Sequence, residues 1–446
     1  MTPELIARYD QRVPRYTSYP TAPHFKAEVG PSIYAQWLSE LSPETALSLY
    51  LHVPFCAELC LYCGCHTTVA RTYSPVASYV DLLEREIELV ARHLPGRMGV
   101  THVHWGGGTP TILSGPDLER IMRRLGESFD IRFHAEIAVE IDPRTLTLEH
   151  VEALAASGLN RASLGVQDFD PTVQKTINRI QSFEQTAKVA GWLRAAGVRG
   201  LNLDLMYGLP HQTTASVLRT VEQALRLDPD RIALFGYAHV PWIKRHQALL
   251  PEEALPGAIE RVEQNTAAAA ALIQTGYVQI GLDHFAKPGD PMAEQQRNGR
   301  LHRNFQGYTT DEATALIGFG TSAIGSMPQG YIQNASSTVA YREAIAQGKL
   351  ATVRGIALTD DDRLRRRIIE RLMCDFSVDL SRIAGGRTPD FTSELAAIDE
   401  MARDGLVKRD GLFIEIPEDS RLLVRNVCAA FDRYLDSREA RHSRAV

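Results

Sequence analysis

Cysteine is scarce in this chain, and long hydrophobic runs are missing from it. Six cysteines in 446 residues are too few for a scaffold built on disulfides. The most apolar helical stretch, Ala267–Ile273, is far too short to span a bilayer. The amino-terminal segment carries scattered charges and lacks the apolar core of a secretory signal. We expect a protein of the reducing cytoplasm with no membrane partner.

An excess of positive charge is missing too. The formal net charge is -6, which gives no general attraction to nucleic acid, although a local basic pocket could still bind an acidic ligand. The apolar share of 44% is ample for a sizeable core. At about 100–200 residues per domain, the length predicts two or three domains.

Four of the cysteines form a tight group directly after an apolar run, with the spacing C-x3-C-x2-C-x-C: Cys56, Cys60, Cys63 and Cys65. Three thiolates from one short loop can take three corners of a cubane iron-sulfur cluster and leave its fourth iron open to a ligand. A structural zinc site usually draws pairs of ligands from separated segments. The spacing therefore favours a cluster, and a zinc-binding interaction module stays open as an alternative.

Six apolar, strand-like runs follow one another, and each has a helix candidate after it: 47–53, 100–105, 135–141, 161–166, 201–206 and 231–235. Short loops between such units demand parallel strands joined by right-handed crossovers. The fold class is therefore α/β, either a doubly wound sheet or a (β/α) barrel. Both architectures place their chemistry at the carboxyl ends of the strands.

Unusual residues recur at those strand ends. The second strand is followed by Gly-Gly-Gly-Thr-Pro at 106–110, and Glu140 and Asp204 lie inside apolar runs. An unpaired carboxylate in such a run is costly, so we expect a polar ligand across the strand ends. The glycine segment fits neither a phosphate loop nor a dinucleotide fingerprint.

Two motifs together resemble the radical S-adenosylmethionine (SAM) superfamily: the cysteine loop with Tyr62 before its third cysteine, and the segment 106–110. Further segments are similar to one family within it, the oxygen-independent coproporphyrinogen III oxidases: 14–20, Cys65, 281–287 and 301–310. The similarity runs from about Arg15 to Tyr434. The related haem chaperones, which resemble this chain in the cysteine motif but lack the fourth cysteine, are an alternative.

The resemblance implies three regions. A partial (β/α)6 barrel of the radical SAM type would span 41–350. An amino-terminal extension, 1–40, would wrap the substrate opening. A small, mainly helical and winged-helix-like domain, 351–446, would act as a lid beside it.

The resemblance also implies two cofactors, a 4Fe-4S cluster and two molecules of SAM. Cys56, Cys60 and Cys63 would bind the cluster, whereas Cys65 and Tyr50 would be catalytic. The residues lining the first SAM would be Tyr50, Gly107, Glu140 and Ile324. Those around the second would be Tyr62, Gly108, Thr109, Gln167, Arg179, Asp204 and Ala238.

The implied reaction follows from what a propionate side chain requires. Its β-hydrogen is not acidic, so a general base cannot begin its oxidation, but a carbon radical can. Coproporphyrinogen III would lose two carboxyl groups and become protoporphyrinogen IX, with flavodoxin or ferredoxin as electron donor. Arg15 and Arg303 are our candidate anchors for the substrate carboxylates. We expect a monomer without a nucleic-acid partner.

Overall fold

The computed structural model describes residues 2–386, 389–435 and 444. Its α-helices are α1 (Pro3–Tyr9), α2 (Pro31–Ser39), α3 (Ser74–His93), α4 (Gly115–Ser128), α5 (Leu148–Ala156), α6 (Pro171–Thr176), α7 (Phe183–Ala195), α8 (Thr214–Leu225), α9 (Ala258–Gln274), α10 (Pro291–Arg297), α11 (Thr338–Ala346), α12 (Asp360–Asp375), α13 (Leu380–Ala384), α14 (Thr392–Arg403) and α15 (Val424–Ala429).

The strands before residue 300 are β1 (Leu47–Val53), β2 (Phe55–Cys56), β3 (Thr68–Val69), β4 (Gly99–Gly107), β5 (Asp130–Ile141), β6 (Arg161–Gln167), β7 (Gly200–Tyr207), β8 (Arg231–Gly236), β9 (Val278–Ile280) and β10 (His284–Ala286). The strands after it are β11 (His302–Asn304), β12 (Gly307–Thr309), β13 (Ala315–Phe319), β14 (Ile324–Met327), β15 (Gly330–Asn334), β16 (Thr352–Ala357), β17 (Ser377–Asp379), β18 (Lys408–Asp410) and β19 (Phe413–Glu415).

One large sheet organises the molecule. It contains twelve strands in the order β16-β15-β14-β13-β1-β4-β5-β6-β7-β8-β10-β9. The six strands expected from the sequence, β1 and β4 to β8, are mutually parallel neighbours. The α/β fold class with a parallel sheet is thus confirmed. The sheet does not close on itself between its two edge strands, β16 and β9.

Strands such as β1 and β6 have an apolar face and a polar face. In β1, Leu47, Leu49, Leu51 and Val53 are at most 1% exposed and belong to the main hydrophobic core. Buried positions of β4 to β8 and of the helices α3, α4, α7 and α8 join the same core, which lies between sheet and helices. The alternate residues of β1, which include Tyr50, therefore lie on the opposite, inner face of the sheet.

Charged side chains pair across the inner face near the amino-terminal ends of the strands. Arg161 Nε donates to Glu136 at 3.0 Å, and Arg231 Nε donates to Asp290 at 2.8 Å. On neighbouring β4, His102 lies 3.1 Å from a carboxylate oxygen of Asp311. These pairs fill this end of the interior with satisfied charges.

Helix ends follow the sequence signals. Thr213 caps α8 by accepting from the backbone N–H of Ser216, and Ser114 caps α4 by accepting from that of Asp117. The caps satisfy backbone donors that the first helical turn leaves free.

A second core joins the two ends of the described chain. Ile6, Tyr9 and Val13 pack with buried residues of α12 and α15. Arg8 bonds to Asp404 at 2.8 Å across this junction. The amino-terminal residues 2–20 therefore pack on the carboxyl-terminal region, while α2 packs against α3 and β16 of the barrel.

Two features of the sheet differ from the sequence-based expectation of six units. A seventh parallel strand, β13, pairs with β1, and antiparallel strands extend the sheet beyond β13 and beyond β8. In the carboxyl-terminal region, the short strands form a separate three-stranded sheet in the order β17-β19-β18. Among the described residues, no helix is both long and apolar enough to cross a membrane.

Candidate functional site

The inner face of the sheet carries a row of polar side chains toward the carboxyl ends of its strands. Tyr50 of β1 donates from its hydroxyl to His52 Nδ1 across 3.0 Å, or accepts from it, depending on the tautomer. His52 Nε2 lies 2.9 Å from the carbonyl oxygen of His66, directly after the cysteine loop. Burial raises the pKa of Tyr50 and lowers the pKa of His52, so both are neutral at pH 7. A series of hydrogen bonds through two neutral side chains thus connects β1 to the cysteine loop.

The two carboxylates expected at strand ends lie on this inner face. Glu140 of β5 is 3.2 Å from His104 Nε2 of β4. Asp204 of β7 accepts from Ser163 Oγ at 2.9 Å and from Asn202 Nδ2 at 2.8 Å. Burial, opposed by these hydrogen bonds, raises the pKa of Asp204 to about 6, and the charge of Glu140 adds to the rise. The Glu140 carboxylate remains 41% exposed in the side chain, open to a ligand.

Hydrogen-bond donors surround the sulfur atoms of the cysteine loop. Thr67 Oγ1 donates to Cys56 Sγ at 3.1 Å, and Thr109 Oγ1 lies 3.5 Å from the same sulfur. Arg179 Nη1 is 3.5 Å from Cys60 Sγ. Donors of this kind favour thiolates, the form that ligates iron.

The thiol of the third cysteine is made more acidic by the fourth. The Cys65 side chain and backbone N–H both donate to Cys63 Sγ, the latter at 3.3 Å, and lower the pKa of the Cys63 thiol to about 6. The same contact raises the pKa of Cys65, whose side chain is exposed. The fourth cysteine therefore supports the thiolate of the third.

A segment far along the chain holds the carbonyl groups of the cysteine loop. It consists of residues 244–247, and we call it the loop clamp. Lys244 Nζ donates to the carbonyl of Cys65 at 2.7 Å, and Gln247 Nε2 donates to that of Tyr62 at 2.8 Å. Between them, His246 Nε2 lies 2.8 Å from the carbonyl of Cys63. Three side chains of the loop clamp thus contact backbone carbonyls of the cysteine loop.

Two glycines bring β4 against the cysteine loop. Gly107 has φ +113°, and a Cβ there would lie 2.8 Å from the ring of His52. A Cβ at Gly108 would lie 2.5 Å from the carbonyl oxygen of Phe55. Glycine at both positions therefore permits a close approach of β4 to His52 and Phe55 that a side chain would prevent.

Arg179 links the cysteine loop to the ends of β5 and β6. Its Nη1 donates to Asp142 Oδ2 at 3.2 Å, and its Nη2 donates to the carbonyl of Gly165. Gly165 also lies close to the amide of Gln167, which has φ +68° at the end of β6. Gly165 is the register partner of Asp204. Arg179, Gln167 and Asp204, which are expected around the second SAM, are thus neighbours.

Ile324 reaches the site from a strand outside the expected six. Its carbonyl oxygen faces Gly318, where a Cβ would lie only 2.7 Å away. Gly318 is the register partner of Tyr50. Ile324 therefore flanks Tyr50 on the side away from β4.

A cavity of about 850 Å³ opens beside the cysteine loop. Cys65 and Ala238 line it, and so do both candidate anchors, Arg15 and Arg303. Arg15 donates to the carbonyl of Gly236 at 3.3 Å, and Arg303 donates to that of Arg15 at 3.5 Å. The structure therefore brings the anchors and the fourth cysteine to one space.

The donor set fits a cubane cluster better than a single ion. Within the described part of the chain, no three Cys, His, Asp or Glu side chains converge closely enough to hold one metal ion. A cubane takes one thiolate at each of three separate irons, so its ligands need not converge. The hydrogen bonds at Cys56, Cys60 and Cys63 suit that arrangement.

Sequence reasoning missed several residues of the site. His52 and His104 were signalled only by their alternation with apolar neighbours in β1 and β4. Asp142, which directly follows β5, was available as another polar strand end. The loop clamp had no local signal because it lies about 180 residues from the cysteines it contacts.

Comparison with known families matches the Radical SAM superfamily over residues 50–224 and the HemN C-terminal domain over residues 358–423. The first match covers the cysteine loop and β1 to β7, and the second covers most of the carboxyl-terminal helices. By fold and by site, the chain is a radical SAM protein. This class implies a 4Fe-4S cluster and SAM.

Similar proteins narrow the class to one family. An oxygen-independent coproporphyrinogen III oxidase of Bradyrhizobium diazoefficiens is 53% identical over 100% of both chains. That of Escherichia coli K12 is 42% identical, over 97% of this chain and 95% of its own. The solved coproporphyrinogen III oxidase of Escherichia coli, a radical SAM enzyme, superposes with TM-score 0.90 at 41% identity, over 95% of this chain and 100% of its own. The chain belongs to the family of oxygen-independent coproporphyrinogen III oxidases, which confirms the resemblance and disfavours the chaperone.

Proposed function

We propose that this chain converts coproporphyrinogen III to protoporphyrinogen IX by oxidative decarboxylation of two propionate groups. One observation carries the proposal: the cysteine loop and the arginine-lined cavity share a boundary at Cys65. A tetracarboxylate could therefore place a side chain beside the cofactors while arginines hold its remaining carboxylates. An iron with an open coordination position would not by itself explain why arginines line the neighbouring cavity.

We assign the cluster to the three cysteines that have donors at their sulfurs, Cys56, Cys60 and Cys63. When bound, cluster and SAM together supply a carbon radical able to remove a propionate β-hydrogen. Loss of carbon dioxide and of one further electron to an acceptor then leaves the vinyl group. The protein positions the substrate and keeps water from the radical.

The residues of the inner face would hold two SAM molecules. We place the first against Tyr50, Gly107, Glu140 and Ile324, with the open Glu140 carboxylate as acceptor for ribose hydroxyls. We place the second against Tyr62, Gly108, Thr109, Gln167, Arg179, Asp204 and Ala238. Support comes from the contacts among Arg179, Gln167 and Gly165, which group part of the second set separately from Tyr50.

Tyr50 and Cys65 would serve the reaction without ligating iron. Tyr50 is neutral and bonded to His52, so it can orient a bound ligand without taking a charge. Cys65 lies at the cavity boundary and is exposed, where it can contact the substrate. We further propose a cytoplasmic monomer that takes its electrons from flavodoxin or ferredoxin and binds no nucleic acid.

Anaerobic incubation with SAM, a reductant and coproporphyrinogen III tests the proposal by mass spectrometry. We expect 5'-deoxyadenosine and a porphyrinogen that has lost two carboxyl groups. Formation of 5'-deoxyadenosine without any decarboxylated product would reject the substrate. Cys65→Ser should keep the iron content of the wild type and lose product formation, whereas loss of the cluster would contradict the three-ligand assignment. One equivalent of zinc without iron or sulfide would support the zinc module instead.

A further inference from the structure

The cavity beside the cysteine loop holds more positive charge than two anchors explain. Among its described lining residues are six arginines and three acids. The arginines are Arg12, Arg15, Arg261, Arg303, Arg425 and Arg444. The acids are Asp10, Glu252 and Asp283. An excess of three positive charges in an acidic protein points to an anionic ligand.

The three acids already have partners. Asp10 lies 3.0 Å from Arg444, and Glu252 lies 3.0 Å from His239. Asp283 is 2.7 Å from His284. Asp283 also acts on the charges of Arg15 and Arg303, and this single carboxylate leaves most of the charge of the deeper arginines unbalanced.

Arg261 extends from α9 into this space. Its Nη2 donates to the carbonyl of Tyr237 at 2.8 Å, and its guanidinium lies 5.7 Å from the ring centroid of Tyr207. Its buried Nε has no hydrogen-bond partner among the described residues. An unsatisfied buried donor costs about 1–3 kcal/mol, so an acceptor from a ligand would stabilise it.

Arg303 has the same deficit on β11. Its Nε and Nη1 are buried and without a partner within the described part of the chain. Its guanidinium stacks over the ring of Tyr308 at 4.4 Å, which fixes the direction in which those donors point. Two arginines on different elements thus line one cavity, and each has part of its hydrogen-bonding capacity unfilled.

Electrostatics agrees with this geometry. Burial lowers the pKa of Arg261 and of Arg15. Burial lowers the pKa of Arg425 to about 10, and the charges of Arg15 and Arg303 contribute to that lowering. The arginines repel one another across the cavity, and bound carboxylates would relieve that repulsion.

We propose that Arg261 is a further carboxylate anchor and that the cavity selects porphyrinogens by their number of carboxylates. The inference rests on the proposed function. The substrate carries four carboxylates and the product two, so the substrate can balance the excess positive charge, whereas the product leaves part of it unbalanced. The reaction therefore lowers the affinity of the cavity for the bound porphyrinogen and favours release of the product.

Binding of oxidised porphyrins separates this inference from the chemistry. Coproporphyrin III and protoporphyrin IX carry the carboxylates of substrate and product but cannot react. Their affinities for the holoenzyme can be measured by fluorescence without reductant. We expect the tetracarboxylate to bind more tightly, with the preference falling as salt rises.

Arg261→Gln should reduce that preference about tenfold, since one charge-assisted contact is lost. Arg15→Gln, in an extended segment, should act in the same direction and guards against a folding defect at α9. Arg123→Gln removes the same charge from an exposed position of α4 and should leave the preference unchanged.

The outcomes distinguish the two proposals. If both Arg→Gln variants fold and retain the wild-type preference, the cavity does not count carboxylates and the inference fails, whatever the turnover. If the wild type shows the preference but yields no vinyl product, the proposed reaction fails and the anion site stands.

Discussion

Gly108 is the residue at which the smallest change should have the largest effect. A Cβ at this position would meet the Phe55 carbonyl oxygen at 2.5 Å, and backbone cannot move aside as a side chain can. We expect Gly108→Ala to push β4 from the cysteine loop and to weaken SAM binding at least tenfold, equivalent to about 1.4 kcal/mol. Isothermal titration with SAM, on protein whose cluster has been reconstituted, measures the change.

Gly126→Ala is the matched control. Gly126 lies inside α4 with no atom near its Cβ position, so alanine should raise the free energy of unfolding by about 1 kcal/mol through helix propensity. SAM affinity should not change. Wild-type affinity in Gly108→Ala would show that the glycine segment does not contact the cofactor.

At this scale the sequence identified individual residues better than their partners. Glu140 and Asp204 were conspicuous because a carboxylate inside an apolar strand requires compensation. Their partners His104 and Ser163 come from neighbouring strands, whereas Asn202 lies two residues before Asp204 on β7. The register between two strands determines which side chains meet across them. The sequence of one strand alone does not determine that register.

The loop clamp is the element on which the geometry of the cysteine loop depends most. Gln247 is 1% exposed, donates to the Tyr62 carbonyl and accepts from the N–H of Val240 at 2.7 Å. Gln247→Leu keeps the bulk but leaves both backbone groups unsatisfied, which should lower the free energy of unfolding by about 2–3 kcal/mol. We expect the loosened loop to lose iron faster, measured as iron per chain after reconstitution and gel filtration.

Arg245→Gln tests the specificity of that effect within the same segment. The Arg245 side chain is exposed, and its removal should change neither iron content nor stability by more than about 0.5 kcal/mol. Equal iron retention in both variants would mean that the cysteine loop keeps its shape without the clamp.

The elements themselves were largely predictable, but the full width of the sheet was not. The six expected strands were long, apolar and followed by helices, and each lies within a few residues of its expected range. The strands β9, β10 and β14 have only three or four residues, and antiparallel strands of this length carry no distinct periodicity. The sequence did not reveal the seventh parallel strand, β13, because the short strands β11 and β12 precede it instead of a helix.

On the scale of the whole molecule, the contact between the chain's distant ends should control access to the cavity. Ile6 is 3% exposed in the core shared with α12 and α15. Ile6→Ala should cost about 2–4 kcal/mol of that packing. We expect faster hydrogen exchange in residues 2–20 and in α15, with a raised KM for substrate because Arg15 lies on the same segment.

Val339→Ala provides the comparison, since Val339 of α11 is 52% exposed and contributes little to any core. It should leave exchange and KM as in the wild type. If Ile6→Ala accelerates exchange in residues 2–20 without changing KM, this segment does not help to bind the substrate.

The joining of the two ends could not be predicted from the sequence. Their contacts, such as Tyr9 to Asp404 at 2.6 Å, connect residues about 400 positions apart. Each segment alone shows only amphipathic helices. An apolar helix face does not show which other element of the chain it packs against. The domain boundaries at 40 and 350 remain predictions.

The paired charges at the amino-terminal ends of the barrel strands have a consequence for the sequence of events in turnover. Arg161, Glu136, Arg231 and Asp290 pair at that end, whereas the arginine-lined cavity lies beside the carboxyl end of β8, so we expect the porphyrinogen to enter there. A porphyrinogen in the cavity would then cover SAM beneath it. Binding would be compulsorily ordered, with SAM first, and initial-rate patterns of random addition would contradict this order.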